Sequence, residues 1–228
     1  MKAEDKQMST VIIYGTDGAG AKAAEAELRE AGHDVYGMET MPYALAEKEI
    51  AALRDRLEAV DVIIFSPTRN TADDEPVGSA AGADPGESGK STAAGRDYGA
   101  LMDCIEDNVM NFRTLVETFV PLMKESSLKR IAVLTDPGVS IRRTKDTQDF
   151  GWHMSAAAVN MAHKIYFNRL RPEGFTFRTY AAGHEEGGIT AAQYIMGGLS
   201  QNPPEEPIMH SDENRFRMRD GLYDEIPW

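Results

Sequence analysis

A chain of 228 residues, 42% hydrophobic and 27% charged, has the size and composition of one globular α/β domain, residues 1–228. Its 24 Lys and Arg against 37 Asp and Glu give a net charge of -13, which disfavours nucleic acid and anionic membrane surfaces as partners. The single cysteine, Cys104, excludes an internal disulfide. No apolar run reaches the roughly 20 residues that span a bilayer, and residues 1–9 lack the apolar core of a signal peptide. We therefore expect a cytoplasmic protein.

The first part of the chain predicts a strand, a glycine turn, a helix and a second strand. Residues 11–14 form a short apolar run, largely β-branched, that stops at Gly15, as a buried parallel strand would. Strong helix formers over 21–31 end at Gly32, and residues 34–38 are predicted as the second strand. This order is typical of the opening of a dinucleotide-binding unit.

The interval after the second strand is short. Residues 43–59 predict a helix with apolar residues on one face, and residues 60–65 predict a buried strand. A full dinucleotide fold places a helix, a strand and a helix in this interval. We therefore expect one edge strand of the sheet to be missing.

Residues 68–99 differ from the rest in composition. They are rich in Gly, Ala, Ser and Asp and nearly lack large apolar residues, so we predict a long, flexible, acidic loop. Residues 84–91 within it resemble a phosphate-binding P-loop. However, Asp84 replaces the first glycine and no strand precedes it, so the flexible loop is the favoured interpretation.

The second half continues the alternation of helices and strands. Helices are predicted at 98–124, 150–170 and 189–199, and strands at 131–134 and between Pro172 and Gly183. Strands that alternate with helices favour a doubly wound, mostly parallel sheet of the α/β class.

The glycine turn is a candidate nucleotide site. It reads Gly-Thr-Asp-Gly-Ala-Gly-Ala over 15–21, and glycines there let a helix N-terminus approach a pyrophosphate. Glu39, at the end of the second strand, can bind ribose hydroxyls and would favour NAD over NADP. The candidate cofactor-binding residues are Gly15, Thr16, Asp17, Gly18, Gly20 and Glu39. The same residues also fit a tight turn that binds nothing, and Asp17 would repel a pyrophosphate, so NAD binding stays open.

Several segments resemble the short-chain dehydrogenase/reductase family over residues 11–228. They are Asp-Asn-Val-Met-Asn at 107–111, Arg-Ile-Ala-Val-Leu-Thr-Asp at 130–136, and the spacing of Ser155, Asn160 and Met161. The glycine turn resembles the shorter motif of extended or atypical members. The resemblance implies a Rossmann-like fold and the framework of an NAD(P)-dependent oxidoreductase.

The resemblance also assigns roles to four positions. It implies that Asn108 anchors a proton-relay water, and that Asp136, Trp152 and Ala156 stand where the family has its catalytic serine, tyrosine and lysine. An indole N–H cannot cycle a proton at neutral pH, alanine has no charge, and an ionised aspartate would repel a developing alkoxide. The loop that closes over substrate in the family is shortened here to 184–188. We therefore predict that the hydride-transfer activity is lost.

Two functions follow from this pattern. The first is a non-catalytic structural or regulatory subunit. The second is an NAD-dependent oxidoreductase for a small carbonyl or hydroxyl substrate, in which Asp136 and His153 could form an unorthodox acid–base pair. No His, Cys or Glu residues have convincing metal-ligand spacing, so we predict no metal site.

The resemblance further implies an oligomer. In the family, the helices equivalent to 98–124 and 152–170 pair with their copies into a four-helix bundle. The small residues and methionines of the second helix suit close packing, and His163 is expected at that interface. We therefore expect a homo-oligomer, or a hetero-oligomer with an active homologue.

Overall fold

The structure, a computed structural model, describes residues 8–69, 98–146, 149–182, 188–197, 216–222 and 224–228. Most of the predicted loop 68–99, including its P-loop-like segment, lies outside these residues, as does the shortened loop 184–188 apart from its last residue.

The described strands form a single sheet. They are Thr10–Tyr14 (β1), Asp34–Met38 (β2), Val62–Phe65 (β3), Arg130–Thr135 (β4), Thr176–Ala181 (β5), Met218–Arg219 (β6) and Glu225–Ile226 (β7). The sheet order is β2-β1-β3-β4-β5-β6-β7, parallel except for the β6–β7 pair. In the described part of the chain, β2 pairs with β1 alone and no strand lies beyond it. The prediction of a Rossmann-like parallel sheet that lacks an edge strand is confirmed.

Along the chain, the described helices alternate with these strands. They are Ala19–Glu30 (α1), Tyr43–Arg54 (α2), Tyr98–Ile105 (α3), Asn111–Phe119 (α4), Phe150–Leu170 (α5) and Ala191–Met196 (α6). A π-helical segment, Glu106–Met110, joins α3 to α4, and a 3₁₀ turn follows α4, so the helix predicted over 98–124 is continuous but not uniform. The helix predicted to reach Ala59 ends at Arg54.

The sequence did not predict β6 and β7. Each has two residues, too few for an alternating pattern to appear in the sequence. The turn between them is closed by Asp220, whose Oδ1 accepts hydrogen bonds from the backbone N–H groups of Leu222 and Asp224. The Asp-Gly pair at 220–221 is a turn sequence, whereas the two strands beside it are too short to leave a pattern.

Side chains that alternate along the strands form a core on each face of the sheet. On β1, Ile12 packs into the cluster formed with α2, α4 and α5, whereas Val11 and Ile13 pack into the cluster formed with α1 and α6. All four residues of β3 are fully buried, as the continuous apolar run predicts for a central parallel strand.

His163 belongs to this core, and its predicted place at a subunit interface is wrong. Its side chain is fully buried; Nδ1 lies 3.1 Å from Thr179 Oγ1, and Nε2 lies 3.2 Å from the Ile131 carbonyl oxygen. Because a carbonyl oxygen only accepts, Nε2 carries the proton, and Thr179 donates to Nδ1. Burial lowers the pKa of His163 to about 3, so the ring is neutral at physiological pH.

Candidate functional site

The glycine turn leads from β1 into α1 and is shaped by close backbone packing. Gly15 has φ +91°, and a Cβ at this position would clash with the Ser66 carbonyl oxygen beyond β3. A Cβ on Gly18 would lie 3.3 Å from the Gly15 carbonyl oxygen, whereas one on Gly20 would make only an ordinary contact with Ala182. Thr16 is held by its backbone N–H, which donates to Met38. Gly15 is thus required by the turn itself, with or without a ligand.

The N-terminus of α1 retains the feature that binds anions. Gly18 is its N-cap residue, and no side chain accepts a hydrogen bond from the first turn of the helix. Free N–H groups at the start of a 12-residue helix favour a negatively charged ligand. This end of α1 opens into a cleft that Gly15 and Gly18 line.

Asp17 sits in this turn but does not cap the helix. Its Oδ1 accepts from the Thr40 backbone N–H at 2.9 Å, and its Oδ2 accepts from Thr40 Oγ1 at 2.5 Å. The carboxylate therefore ties the glycine turn to the segment after β2. It also lines the cleft, where its charge opposes a phosphate.

Thr40 was missed by the sequence reasoning. It lines the cleft together with Asp17. Its partner lies 23 residues earlier in the chain, so no local spacing pointed to the contact. Glu39, which the sequence favoured, directly follows β2 and is exposed but is not among the cleft-lining residues.

The cleft brings the predicted cofactor and catalytic positions together. It has a volume of about 340 Å³, and its lining includes Asp17, Gly18, Asp136 and Trp152. Arg69 also lines it and forms an ion pair with the buried carboxylate of Asp149, the residue before α5. No pattern in the sequence pointed to Arg69, because this residue lies at the edge of the predicted loop.

The three residues that the sequence resemblance places at catalytic positions are apolar or already hydrogen-bonded. Trp152 is 8% exposed and forms a small cluster with Val139 and the fully buried Ala156, called the Trp152 cluster below. Asp136 is exposed at the end of β4, and its Oδ1 accepts from the Gly138 backbone N–H at 2.6 Å.

Asn108 lies in the π-helical segment, and its side chain forms hydrogen bonds with the backbone of Thr68, a cleft-lining residue. Its Oδ1 accepts from the Thr68 backbone N–H at 2.8 Å, and its Nδ2 donates to the Thr68 carbonyl oxygen and to Ser155 Oγ. Ser155 in turn donates to the Trp152 carbonyl oxygen. Both N–H groups of the Asn108 amide are thus used within the protein, and its relay role stays a prediction.

His153 lies beside Gly138, as does Asp136. The carboxylate next to its ring is that of Asp146, whose Oδ2 lies 3.1 Å from His153 Nε2. This is an ion-pair distance without the alignment of a hydrogen bond. The acid–base pair suggested by the sequence therefore has Asp146, not Asp136, at the ring.

Neither a metal centre nor a membrane-spanning helix is found in the described residues. Within 8–69, 98–146, 149–182 and the shorter segments that follow, no three His, Cys, Asp or Glu side chains are grouped to hold a metal ion. In the same part of the chain, no helix is both long and apolar enough to cross a bilayer.

Sequence comparison matches part of the chain to a known protein. No family model matches the chain. C-signal of Myxococcus xanthus is 31% identical over 79 residues, which are 35% of this chain and about half, 48%, of that relative.

Solved structures match the fold across much greater lengths. A protein of Burkholderia multivorans assigned as a short-chain dehydrogenase/reductase, with bound NADP, has a TM-score of 0.65 at 16% identity and covers 97% of this chain and 100% of its own. The NADH-dependent reductase A1-R′, complexed with NAD, has a TM-score of 0.56 at 13% identity over 78% of each chain. The chain therefore has the fold of the short-chain dehydrogenases/reductases, which confirms the resemblance at the level of the fold.

Proposed function

We propose that this chain is a short-chain dehydrogenase-like protein that has lost hydride transfer and serves as a structural or regulatory subunit of an oligomer. The Trp152 cluster carries this proposal. Where the family would place its proton-transferring tyrosine and its lysine, Trp152 and Ala156 pack against Val139. Replacing a single such group typically costs about 10²–10⁴ in rate, and here three positions differ together.

The cleft fits a nicotinamide dinucleotide in part. The uncapped N-terminus of α1 and the backbone at Gly15 and Gly18 would hold the pyrophosphate. Glu39 lies outside the cleft lining, next to the cleft-lining Thr40, and would accept from ribose hydroxyls only where the ligand extends beyond the cleft. Asp17 opposes this binding through its charge. When bound, such a cofactor supplies the nicotinamide ring for hydride exchange; in this chain we propose that it serves to stabilise the fold or to regulate assembly.

Changing Asp17 to asparagine tests the nucleotide site. Asn retains an oxygen acceptor for the Thr40 N–H and removes the negative charge, so we expect NADH to bind roughly fivefold more tightly. The measurement is a fluorescence titration of the purified chain with NADH. The control is Asp55→Asn, at the exposed end of α2, which should leave the affinity unchanged. Equal affinities in all three proteins would contradict a pyrophosphate site beside Asp17.

An apolar stripe on α5 supports the oligomer. Phe150, Met154, Met161 and Ile165 recur at helical spacing and are 64%, 51%, 62% and 58% exposed. A row of large exposed apolar side chains on one helix face is typical of a surface that a partner covers. We propose that a second copy of the chain, or a homologue with intact catalytic residues, packs on this stripe.

A double variant, Met154→Glu with Ile165→Glu, tests the stripe. Two charges on the packed face should weaken association at least tenfold in sedimentation experiments, because each would be desolvated beside its copy. Leu45→Glu, which alters a 49% exposed apolar residue on α2, is the matched control and should associate normally. A wild-type chain that stays monomeric at high concentration and co-purifies with no homologue would contradict the proposal.

The second candidate function is an oxidoreductase with an unorthodox site. The observation that favours it is the clustering of Asp136, Asp146 and His153 around Gly138 at the edge of the cleft. His153 would serve as the acid–base group, held by Asp146.

A turnover assay separates the two functions. NADH oxidation is followed with a panel of small aldehydes and ketones, using the wild type, Asp136→Asn and His153→Ala. We expect no oxidation above the protein-free rate in any of them. Carbonyl-dependent oxidation by the wild type that either substitution abolishes would instead establish the second function.

A further inference from the structure

A second cavity lies on the side of α5 that faces the last strands, and its lining residues are all distinct from those of the nucleotide cleft. Its volume is about 220 Å³. Its apolar lining includes Ala157 and Met161 of α5 and the rings of Phe216 and Trp228. The rings of Phe216 and Trp228 are stacked, with centroids 4.8 Å apart and an interplanar angle of 13°. Together these residues give a flat, apolar slot.

Asn160 lines this slot and has a side-chain oxygen that accepts no hydrogen bond. The residue is 5% exposed, and its Oδ1 is buried without a hydrogen-bond partner. Buried amide oxygens in folded proteins nearly always accept a hydrogen bond, since leaving one unpaired is destabilising. The exception lies at the wall of a cavity, where a ligand bearing an N–H or O–H group could satisfy it.

Lys164 adds a cation one helical turn further along α5. Its Nζ lies 4.3 Å from the centroid of the Phe167 ring and 5.3 Å from that of Phe216. No carboxylate in the described part of the chain pairs with it. An unpaired ammonium at the rim of an apolar slot favours an anionic ligand, in a chain whose net charge of -13 otherwise repels anions.

We propose that this cavity binds a small amphipathic anion. Its flat apolar body lies between Met161 and the stacked rings, its carboxylate faces Lys164, and its N–H or O–H donates to Asn160 Oδ1. Sulfur–aromatic contacts suit a planar ring at this position. The proposal does not rest on the proposed function, because none of its residues belongs to the nucleotide cleft. It shares Met161 with the apolar stripe on α5, so a second copy packed on that stripe would compete with the ligand for Met161.

Three related probes separate the contributions of the two polar groups. Indole-3-acetate has the ring, the N–H and the carboxylate; 1-naphthaleneacetate lacks the N–H, and 3-methylindole lacks the carboxylate. Binding is followed on the full chain by NMR of ¹³C-labelled methionine methyl groups, with the Met161 signal assigned through Met161→Leu. We expect indole-3-acetate to shift the Met161 signal saturably and to bind more tightly than either of the other two probes.

The variants test each contact. Asn160→Leu should weaken indole-3-acetate roughly tenfold and leave 1-naphthaleneacetate nearly unchanged. Lys164→Gln should weaken both acids roughly fivefold and leave 3-methylindole unchanged. Lys48→Gln, at an exposed site on α2, is the control and should bind all three probes as the wild type does.

Three results would contradict the proposed ligand site. No saturable shift at millimolar indole-3-acetate, or equal binding by the wild type and Lys164→Gln, would overturn the proposal. A Met161 signal that changes on dilution in step with self-association, with no response to the probes, would overturn it as well and would assign the slot to a second copy. Lys164 is half-buried and its change should not prevent folding, so the test stands even where Asn160→Leu fails to fold.

Discussion

Replacing Asn108 with leucine is expected to lower the free energy of unfolding by about 2–4 kcal/mol. The amide makes three hydrogen bonds, two with the Thr68 backbone and one with Ser155 Oγ, and Asn108 is 1% exposed. Leucine would leave the Thr68 N–H and carbonyl unpaired at the cleft wall. Urea denaturation measures the loss, and NADH affinity should fall in parallel because Thr68 lines the cleft.

The matched control is Ser155→Ala, which removes one of these bonds. It should cost about 1 kcal/mol and leave Thr68 held by Asn108. If Asn108→Leu lowers the free energy of unfolding no more than Ser155→Ala does, the hydrogen bonds between Asn108 and Thr68 do not stabilise the fold. The relay role that the family resemblance implies would then be the better explanation for Asn108.

Acid should destabilise the wild type through His163. Its pKa is lowered from 6.5 to about 3 by burial, so above pH 6.5 both the folded and the unfolded protein are neutral at this group. As the pH falls below 6.5, the unfolded chain binds a proton that the folded chain excludes, and stability decreases until about pH 3. Between about pH 7 and 5 this contribution amounts to roughly 2 kcal/mol.

His163→Gln isolates this contribution. Glutamine can donate to the Ile131 carbonyl and accept from Thr179 but does not titrate, so the stability difference from the wild type should change by roughly 2 kcal/mol across the same pH range. Thermal and urea unfolding at several pH values measure the difference. Parallel pH profiles for the two proteins would show that the ring is accessible to protons in the folded state.

The sequence was sufficient to predict those strands and helices whose residue patterns lie within a single short segment. The apolar run at 11–14 and the residues at 34–38 correspond closely to β1 and β2, and the long helix before Pro172 ends at Leu170 as expected. The short interval between β2 and β3 was enough to predict the missing edge strand, because chain length limits what can be inserted.

The candidate site was also predictable in part, where its residues belong to local sequence patterns. The glycine turn predicted Gly15 as a cofactor residue, and the family resemblance predicted Asp136 and Trp152 as catalytic positions; the cleft contains all three. They meet there because parallel strands present their carboxyl ends at one edge of the sheet. The pairing of Asp17 with Thr40, the ion pair of Arg69 with Asp149, and the burial of His163 depend on contacts between distant parts of the chain. No spacing within a single segment encodes them.

The proposed loss of hydride transfer is tested most directly by a single-turnover experiment with the protein in excess over NADH. A panel of carbonyl compounds is mixed rapidly with the preformed mixture, and the nicotinamide absorbance is followed, so that slow product release cannot hide the chemistry. Because hydride transfer is proposed to be lost, no decay beyond that of a protein-free control is expected in the wild type or in Asp136→Asn. A carbonyl-dependent decay in the wild type that His153→Ala or Asp136→Asn removes would contradict that proposal.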